Sequence, residues 1–291
     1  MEATKMRQML NKVPEVTIFF WIIKILCTTV GETGADYLNE TLHFGLTGTS
    51  LVAGTLLLVV LFFQFRAKKY VAPIYWLAVV LISIVGTLIT DQLTDGMGVS
   101  LVTTTIVFTM LLIATFIAWF VVEKTLSVHS IFTTRREFFY WTTILFTFAL
   151  GTAAGDLIAE KFGLGYLLSV ALFAGMIAVV TAAHYIVKGV LHAEHKHQST
   201  NAVIAFWLAY ILTRPLGASI GDFMSQPKAD GGLGLGTTAT SAIFLLTILA
   251  LVVYLTLTKK DEIKPDHVPT REEEEHFGPE PDAAAIEGSR A

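Results

Sequence analysis

The chain has 291 residues, of which 54% are hydrophobic and 15% are charged. A soluble domain of this size needs a larger charged surface, so the composition excludes a water-soluble globular fold and favours a membrane protein. The net charge of −4 comes largely from the C-terminal residues and gives no reason to expect nucleic-acid binding.

Eight apolar runs follow one another along the chain, near residues 17–31, 46–65, 71–90, 97–122, 138–155, 165–190, 203–220 and 235–258. Most are long enough to cross a hydrocarbon core of about 30 Å as helices that rise about 1.5 Å per residue. The sequence therefore predicts an all-α fold, a polytopic bundle of eight transmembrane helices over 14–260. Residues 1–13 are expected to form a cytoplasmic N-terminus, and the glutamate-rich residues 261–291 a disordered acidic tail.

Basic residues are concentrated in alternate connections between these runs. One side of the membrane would carry only Lys161 and Lys228, whereas the other would carry Arg66, Lys68, Lys69, Lys124, Arg135, Arg136 and Lys188. Because positive loops stay in the cytoplasm, both termini are predicted to be cytoplasmic. We expect a bacterial inner (plasma) membrane protein with the lipid bilayer as its partner, and we leave a homo-oligomer open.

Four tandem copies of a two-helix unit account for the eight runs, at about 14–66, 70–123, 136–190 and 201–258. The first helix of each unit carries a tryptophan, a glycine ten residues later and an aspartate five residues after the glycine. These are Trp21, Trp76, Trp141 and Trp207; Gly31, Gly86, Gly151 and Gly217; and Asp36, Asp91, Asp156 and Asp222. This recurrence predicts four helical hairpins of equal orientation, related by rotation about the membrane normal.

The pattern resembles a family of bacterial membrane proteins that are defined by four tandem repeats, each with two membrane spans and a characteristic tryptophan. The resemblance covers about 14–260 and includes all four units. It implies the eight-helix architecture and no activity, because the function of that family is unassigned.

The repeated tryptophans and glycines have structural interpretations. The tryptophans are expected to lie near the cytoplasmic interface as aromatic anchors. The glycines are expected to allow close packing, since small residues let membrane helices approach one another. Such packing would place the four first helices side by side at the centre, where their other repeated residues would meet.

A stripe of residues four apart, which share one helix face, leads to the aspartate in each first helix. It consists of Lys24, Thr28, Glu32 and Asp36 in the first unit, Val79, Ser83, Thr87 and Asp91 in the second, Ile144, Phe148, Thr152 and Asp156 in the third, and Tyr210, Arg214, Ala218 and Asp222 in the fourth. An ionisable group at membrane depth normally faces a partner or a water-filled cavity. The alternative is that each helix ends just beyond its aspartate, which would then be solvated at the outer interface.

We therefore expect a secondary transporter, proton-coupled, with a central polar pathway that binds a small ion or small molecule. A divalent metal ion is the first choice of substrate, because carboxylates and hydroxyls are hard oxygen ligands. Its ligands would come from Glu32 and the four aspartates, with Thr28, Ser83, Thr87 and Thr152 nearby. Lys24 and Arg214 would tune these carboxylates or contact an anionic group.

Several alternatives stay open. The two basic residues also suit a small organic ion or anion, and Arg214 could instead form a structural ion pair with Glu32 or an aspartate. A non-transporting scaffold or sensor is a further possibility. The tract with His192, His195 and His197 fits solvated loop histidines better than a metal site. We find no nucleotide-binding, hydrolase or zinc motif, so we expect neither an enzyme nor a cofactor, and an intramembrane enzyme stays only as a third hypothesis.

Overall fold

A computed structural model describes residues 11–190 and 200–262 of the chain. Eight helices in these ranges are long and apolar enough to cross a membrane, which confirms the predicted all-α bundle of an integral membrane protein. They are α1 (Ile18–Asp36), α2 (Gly45–Arg66), α3 (Ala72–Asp91), α4 (Leu101–Glu123), α5 (Thr134–Asp156), α6 (Tyr166–Val190), α7 (Thr200–Ser225) and α8 (Gly236–Thr258). The histidine-rich tract and nearly all of the acidic tail lie outside the described residues.

The first helix of each repeat is longer than its apolar run indicated. Helices α1, α3 and α5 each continue for one π-helical turn, over Tyr37–Thr41, Gln92–Gly96 and Leu157–Lys161. Helix α7 runs on to Ser225. Each aspartate is therefore followed by three to five further helical residues, and none of the four is the last residue of its helix. Hydropathy underestimated these lengths because polar residues such as Asp36, Gln92 and Glu160 end the apolar run without ending the helix.

The first helices form an inner ring, in which α1 contacts α3 and α7, and α5 contacts the same two helices. Within the most apolar stretch of α1, α3, α5 and α7, 67%, 72%, 56% and 56% of residues are buried. The corresponding values for α2, α4, α6 and α8 are 17%, 17%, 11% and 28%, so the second helices form an outer layer exposed to lipid.

Each outer helix packs mainly on the inner helix of the next repeat and not on that of its own repeat. Helix α2 packs on α3, α4 on α5, α6 on α7, and α8 returns to α1. The last repeat thus closes onto the first, and every inner helix is covered by a helix from its predecessor.

The repeated glycines make the inner ring tight. A Cβ atom at Gly86 would overlap Phe148 Cβ and crowd the backbone nitrogen of Ala149. The same contact recurs around the ring. Each repeated glycine faces a stripe residue of the following repeat, and the glycine of the fourth repeat faces the first repeat. The pairs are Gly31 with Ser83, Gly86 with Phe148, Gly151 with Arg214 and Gly217 with Thr28. Only a residue without a side chain lets the backbones come this close, so the glycines bring the stripe residues toward the bundle axis.

Three of the repeated tryptophans are buried between helices and Trp21 is partly buried, so they are not the lipid-facing anchors that the sequence suggested. Trp76, Trp141 and Trp207 are 1%, 4% and 4% exposed. Each tryptophan ring packs against the aromatic residue that precedes the tryptophan of the previous repeat: Phe20 with Trp76, Tyr75 with Trp141, Tyr140 with Trp207, and Phe206 with Trp21, at centroid distances of 5.7, 5.5, 6.3 and 5.6 Å. The tryptophans therefore join successive repeats, which explains their recurrence better than membrane anchoring does.

We call the membrane face that carries Arg66, Lys68, Lys69 and Lys124 the basic face. A segment formed by residues 11–17, the N-terminal strap, crosses this face. Its Asn11 carbonyl accepts a hydrogen bond from Tyr70 N (3.0 Å), and Glu15 N donates to Asp261 O (2.9 Å). Asp261, only 2% exposed, is therefore part of the folded domain and not of a disordered tail.

A buried ion pair fixes the strap to the bundle. Lys12 Nζ lies 2.6 Å from Glu137 Oε2 on α5, and the two side chains are 7% and 1% exposed. Gln64 Nε2 on α2 donates to the other carboxylate oxygen of Glu137 at 3.0 Å. The strap thus links α2 and α5 beneath the aromatic residues that close the basic end of the bundle.

Candidate functional site: a central stripe ending in carboxylates

The stripe residues of the four inner helices meet on the bundle axis in layers. Because the helices share one register, equal distances from the tryptophan correspond to equal depth. The aromatic residues that precede the tryptophans form the layer nearest the basic face, and the aspartates lie near the opposite face. Between them the stripe residues are buried: Lys24, Thr28 and Glu32; Val79, Ser83 and Thr87; Ile144, Phe148 and Thr152; and Tyr210, Arg214 and Ala218.

Arg214 occupies the centre of this stripe and is fully buried. Its Nη2 atom, which carries two hydrogens, lies within hydrogen-bond distance of three acceptors: Glu32 Oε2 (2.7 Å), Thr152 Oγ1 (2.6 Å) and Thr87 Oγ1. These three acceptors stand at the same position of the three other repeats, eleven residues after the tryptophan. The fourth repeat has Ala218 there, a side chain too small to compete for the space. One guanidinium thus joins all four inner helices.

The Thr28 layer completes the surroundings of the guanidinium. Arg214 Nη1 donates to the Thr28 carbonyl at 3.2 Å. The Thr28 hydroxyl donates to Ile25 O in its own helix (2.6 Å), so this residue contributes its backbone. Ser83 Oγ is buried and has no hydrogen-bond partner among the described residues.

The Glu32–Arg214 pair is a desolvated interaction, with side-chain exposures of 10% and 0%. Removing two charges from water costs several kcal/mol per ion, and the threonine and carbonyl contacts offset part of this cost. The structure therefore brings together the two residues that were considered above as a structural ion pair. It also leaves Glu32 on the boundary between the buried stripe and the aspartates.

The aspartates gather at the end of the stripe, beyond Arg214. Oxygens of Glu32, Asp156 and Asp222 all lie within 4.8 Å of one another. Asp36 and Asp91 are close enough to interact electrostatically with Glu32 and with each other. Among residues 11–190 and 200–262, no basic side chain forms a salt bridge with any of the four aspartates.

These distances fit a cation of moderate size. Calcium binds oxygens at about 2.3–2.6 Å, so ligands on opposite sides of the ion are about 5 Å apart. The three oxygens of Glu32, Asp156 and Asp222 fall inside that limit. Glu32 belongs to both groups, because its other interaction is with Arg214. A cation at this cluster would therefore share one carboxylate with the guanidinium.

A second acidic layer lies four residues beyond the aspartates, and sequence reasoning missed it. It consists of Glu40, Asp95, Glu160 and the neutral Gln226. The three acids are exposed and define the acidic face of the protein. The sequence does contain this layer, because each of these residues follows the aspartate of its repeat by four positions, the same interval that separates the stripe residues. The predicted stripe stopped at the aspartate because the aspartate was the last residue that recurred identically in all four repeats.

Toward the basic face, the stripe is closed. Lys24 Nζ lies 4.0 Å from the centroid of the Phe148 ring and 4.3 Å from that of Tyr210. This fully buried amine has no hydrogen-bond partner in the described part of the chain. Below it, the hydroxyls of Tyr75 and Tyr140 are 2.5 Å apart. The axis is therefore acidic and partly accessible at one end, and sealed by aromatic rings at the other.

Comparison with known proteins agrees with this architecture. The family model described as Repeat of Unknown Function (DUF347) matches residues 19–70, 74–125, 139–189 and 205–261. Each match covers one hairpin, so the family repeat and the structural repeat coincide. No curated protein and no solved structure matches the chain. The four matches together cover most of the sequence, and the chain therefore belongs to the family of membrane proteins built from this repeat of unknown function.

Proposed function

We propose that the protein is a secondary transporter that moves a cation, with a divalent metal ion as the first choice, along the axis of the inner ring. The observation that carries this proposal is the cluster of Asp156 and Asp222 with Glu32, near which Asp36 and Asp91 also lie. None of the four aspartates forms a salt bridge with a basic side chain of residues 11–190 and 200–262. Four carboxylates held together at membrane depth repel one another unless protons or cations neutralise them.

The charge balance of the site favours a cation over an anion. Arg214, the basic residue nearest the aspartates, already donates to Glu32. Lys24 lies deeper, among aromatic rings, and is separated from the aspartates by the Arg214 layer. An approaching ion first meets Glu40, Asp95 and Glu160 at the acidic face. This field concentrates cations and repels anions, which disfavours the alternative of an anionic substrate.

Arg214 acts in this proposal as a tethered cation that competes with the substrate for Glu32. A metal ion bound by Asp156 and Asp222 weakens the hold of Glu32 on the guanidinium, because one carboxylate cannot satisfy both fully. Movement of Arg214 away from Glu32, Thr87 and Thr152 would then loosen the contact that joins the four inner helices. Entry of the cation is thereby coupled to a change in the packing of the ring.

Proton coupling follows from the same carboxylates. Aspartates that hold protons while the site is empty release them when a divalent cation binds, so the charge of the site changes little through the cycle. In the proposed orientation the basic face is cytoplasmic, both chain ends are cytoplasmic, and the acidic face is external, in a bacterial plasma membrane. The site in this structure then faces the outside.

The test is uptake of Ca²⁺ and Mn²⁺ by proteoliposomes containing the purified protein, with a pH-sensitive dye to follow protons. Asp156→Asn and Asp222→Asn are expected to reduce uptake at least about tenfold, while each variant elutes as the wild type does in size-exclusion chromatography. Asp230→Asn is the matched control, because this exposed aspartate lies in the connection between α7 and α8. Unchanged uptake in both site variants, or no uptake by the wild type of any cation offered, contradicts the proposal.

A further inference from the structure

A groove on the lipid-facing side of the bundle points to a second binding site, which does not depend on the proposed transport. We propose that the groove between α2 and α5, with α3 as its floor, binds one acyl chain of an anionic phospholipid whose phosphate is held by Arg66. The ligand comes from the leaflet at the basic face. The argument rests on the lining of the groove, the cation at its end and one unpaired hydrogen-bond donor.

The groove is apolar and has a cavity volume of about 590 Å³. This size lies within the range of about 300–1,000 Å³ that small-molecule sites occupy. Helix α2 contributes Gly54, Leu57, Leu58, Leu61, Phe62 and Phe65; the floor and the opposite wall come from α3 and α5 and include Ile82, Phe138, Trp141 and Leu145. Among the described residues, none that lines the groove is charged. Such a lining suits a hydrocarbon chain, because an acyl chain can pack closely against these apolar side chains and needs no polar partner there.

The depth of the groove places it in the leaflet next to the basic face. Phe65 directly precedes the last residue of α2, and Phe138 lies in the first turns of α5. Both of these helix ends are at the basic face. The lining then extends inward to Gly54 and Leu145, near the middle of the two helices. A lipid of this leaflet reaches the groove directly with its chain, whereas a water-soluble ligand would have to cross the headgroup layer.

A cation stands where the phosphate of such a lipid would lie. The Arg66 guanidinium covers the ring of Phe62 at 4.8 Å, so it is fixed against the lining of the groove. Arg66 is exposed and forms no salt bridge with a carboxylate of the described residues. The exposed Lys68 and Lys69 follow it in the same connection. Basic residues at this boundary attract anionic headgroups.

Trp141 provides the third observation. It lines the groove, it is 4% exposed, and its indole N–H donates no hydrogen bond to any described residue. A buried indole N–H usually finds an acceptor. The ester carbonyl of a phospholipid lies between the acyl chain and the phosphate and is such an acceptor. The groove thus offers a partner for each part of one lipid: apolar side chains, an N–H donor and a guanidinium.

The experiment measures lipid binding by native mass spectrometry of the purified full-length protein, with phosphatidylglycerol and phosphatidylcholine of identical chains as probes. Gly54→Phe fills the groove, because a side chain at Gly54 meets nothing within 4 Å. Gly175→Phe is its control, since Gly175 on the exposed surface of α6 is equally unobstructed and does not line the groove. Arg66→Gln removes the proposed phosphate ligand and leaves the groove intact.

The wild type is expected to bind phosphatidylglycerol about fivefold more tightly than phosphatidylcholine, the effect of one basic residue near an anionic lipid surface. Arg66→Gln is expected to abolish that preference, Gly54→Phe to reduce binding of both lipids, and Gly175→Phe to bind as the wild type does. Equal binding of the two lipids by the wild type overturns the role of Arg66. Undiminished binding to Gly54→Phe, or a dimer that covers the groove, overturns the site.

Discussion

Arg214 and Glu32 lie 182 residues apart in the chain, yet Arg214 Nη2 is 2.7 Å from Glu32 Oε2 in the interior of the bundle. This pair connects the last repeat to the first, and the same guanidinium bonds to Thr87 and Thr152 of the two repeats between them. Substitutions at these two residues therefore test how much this contact between repeats contributes to the stability of the inner ring.

Glu32→Gln is expected to lower the free energy of unfolding by about 3–5 kcal/mol, because it leaves the Arg214 charge buried without a counter-charge. The double variant Glu32→Gln with Arg214→Gln should recover a large part of this loss, since no unpaired charge remains. The free energies of unfolding of the wild type, the two single variants and the double variant form a double-mutant cycle. They are measured by unfolding in mixed detergent, followed by tryptophan fluorescence. Losses that simply add would show that the pair contributes no coupling.

Gly86→Ala is expected to destabilise the protein, because its Cβ overlaps Phe148 Cβ and crowds the backbone nitrogen of Ala149. Overpacking of this kind typically costs about 1–3 kcal/mol. Gly175→Ala, at a helical glycine with nothing within 4 Å, should instead be neutral or stabilise by up to about 1 kcal/mol through helix propensity. Thermal unfolding of the two variants in the same detergent compares them. Equal effects would refute the tight contact between the inner helices.

Asn11→Ala is expected to release the N-terminal strap. The Asn11 side chain donates to Val13 O (3.1 Å) and Val128 O (3.4 Å) and accepts from Ile131 N (3.1 Å), and the residue is 3% exposed. Loss of these bonds leaves buried backbone groups unsatisfied, at about 1–3 kcal/mol each. Hydrogen exchange should therefore rise about tenfold or more in peptides covering residues 11–17 and 126–131.

Thr258→Ala serves as the control for the strap, since Thr258 is exposed and its hydroxyl donates to Tyr254 O within its own helix turn. Its exchange pattern in the two peptides should match the wild type. Unchanged exchange in Asn11→Ala would mean that other contacts, such as the Lys12–Glu137 pair, hold the strap without this side chain.

Stability near the strap should depend on pH through Asp261. Burial raises the pKa of this carboxyl above its ordinary value, although the hydrogen bond from Tyr70 (2.6 Å) opposes the shift. A raised pKa in the folded state means that the folded protein binds the proton more tightly than the unfolded chain does. The resulting stabilisation is complete below the unfolded pKa of about 3.9 and disappears as pH rises through the folded pKa.

Asp261→Asn removes this titration and keeps a side chain of similar size. The unfolding temperature of the wild type should therefore fall more between pH 4 and pH 7 than that of Asp261→Asn. The difference between the two proteins at each pH isolates the contribution of this carboxyl from that of the other acids. A constant difference across the range would disprove the linkage.

The repeat pattern predicted the eight helices and their grouping into four hairpins, because tryptophan, glycine and aspartate recur at fixed spacing. It also placed Arg214, Glu32 and the four aspartates on the equivalent face of their respective inner helices. It could not reveal which helix covers which, since periodicity describes one helix at a time and α2 packs on α3 and not on its own partner α1. The pairing of Arg214 with Thr87 and Thr152 depends on that arrangement.

The tryptophans show why a residue type alone was misleading. An indole near a predicted membrane boundary suggests an interfacial anchor, yet Trp76 contacts Phe20 of the preceding repeat. The contact requires two repeats to be adjacent, which no single helix indicates. Glu40, Asp95 and Glu160 were missed for a different reason, since their helices end with a π-helical turn beyond the apolar run.

Because α8 packs on α1, the last and first hairpins contact each other in the same way as consecutive hairpins do. Glu15 N and Asp261 O are 2.9 Å apart, so the two ends of the bundle are already neighbours on one membrane face. A circular permutant that joins these ends and opens the chain between the first and second hairpins should preserve every span and its direction. The four hairpins would then begin at a different place and assemble into the same circle.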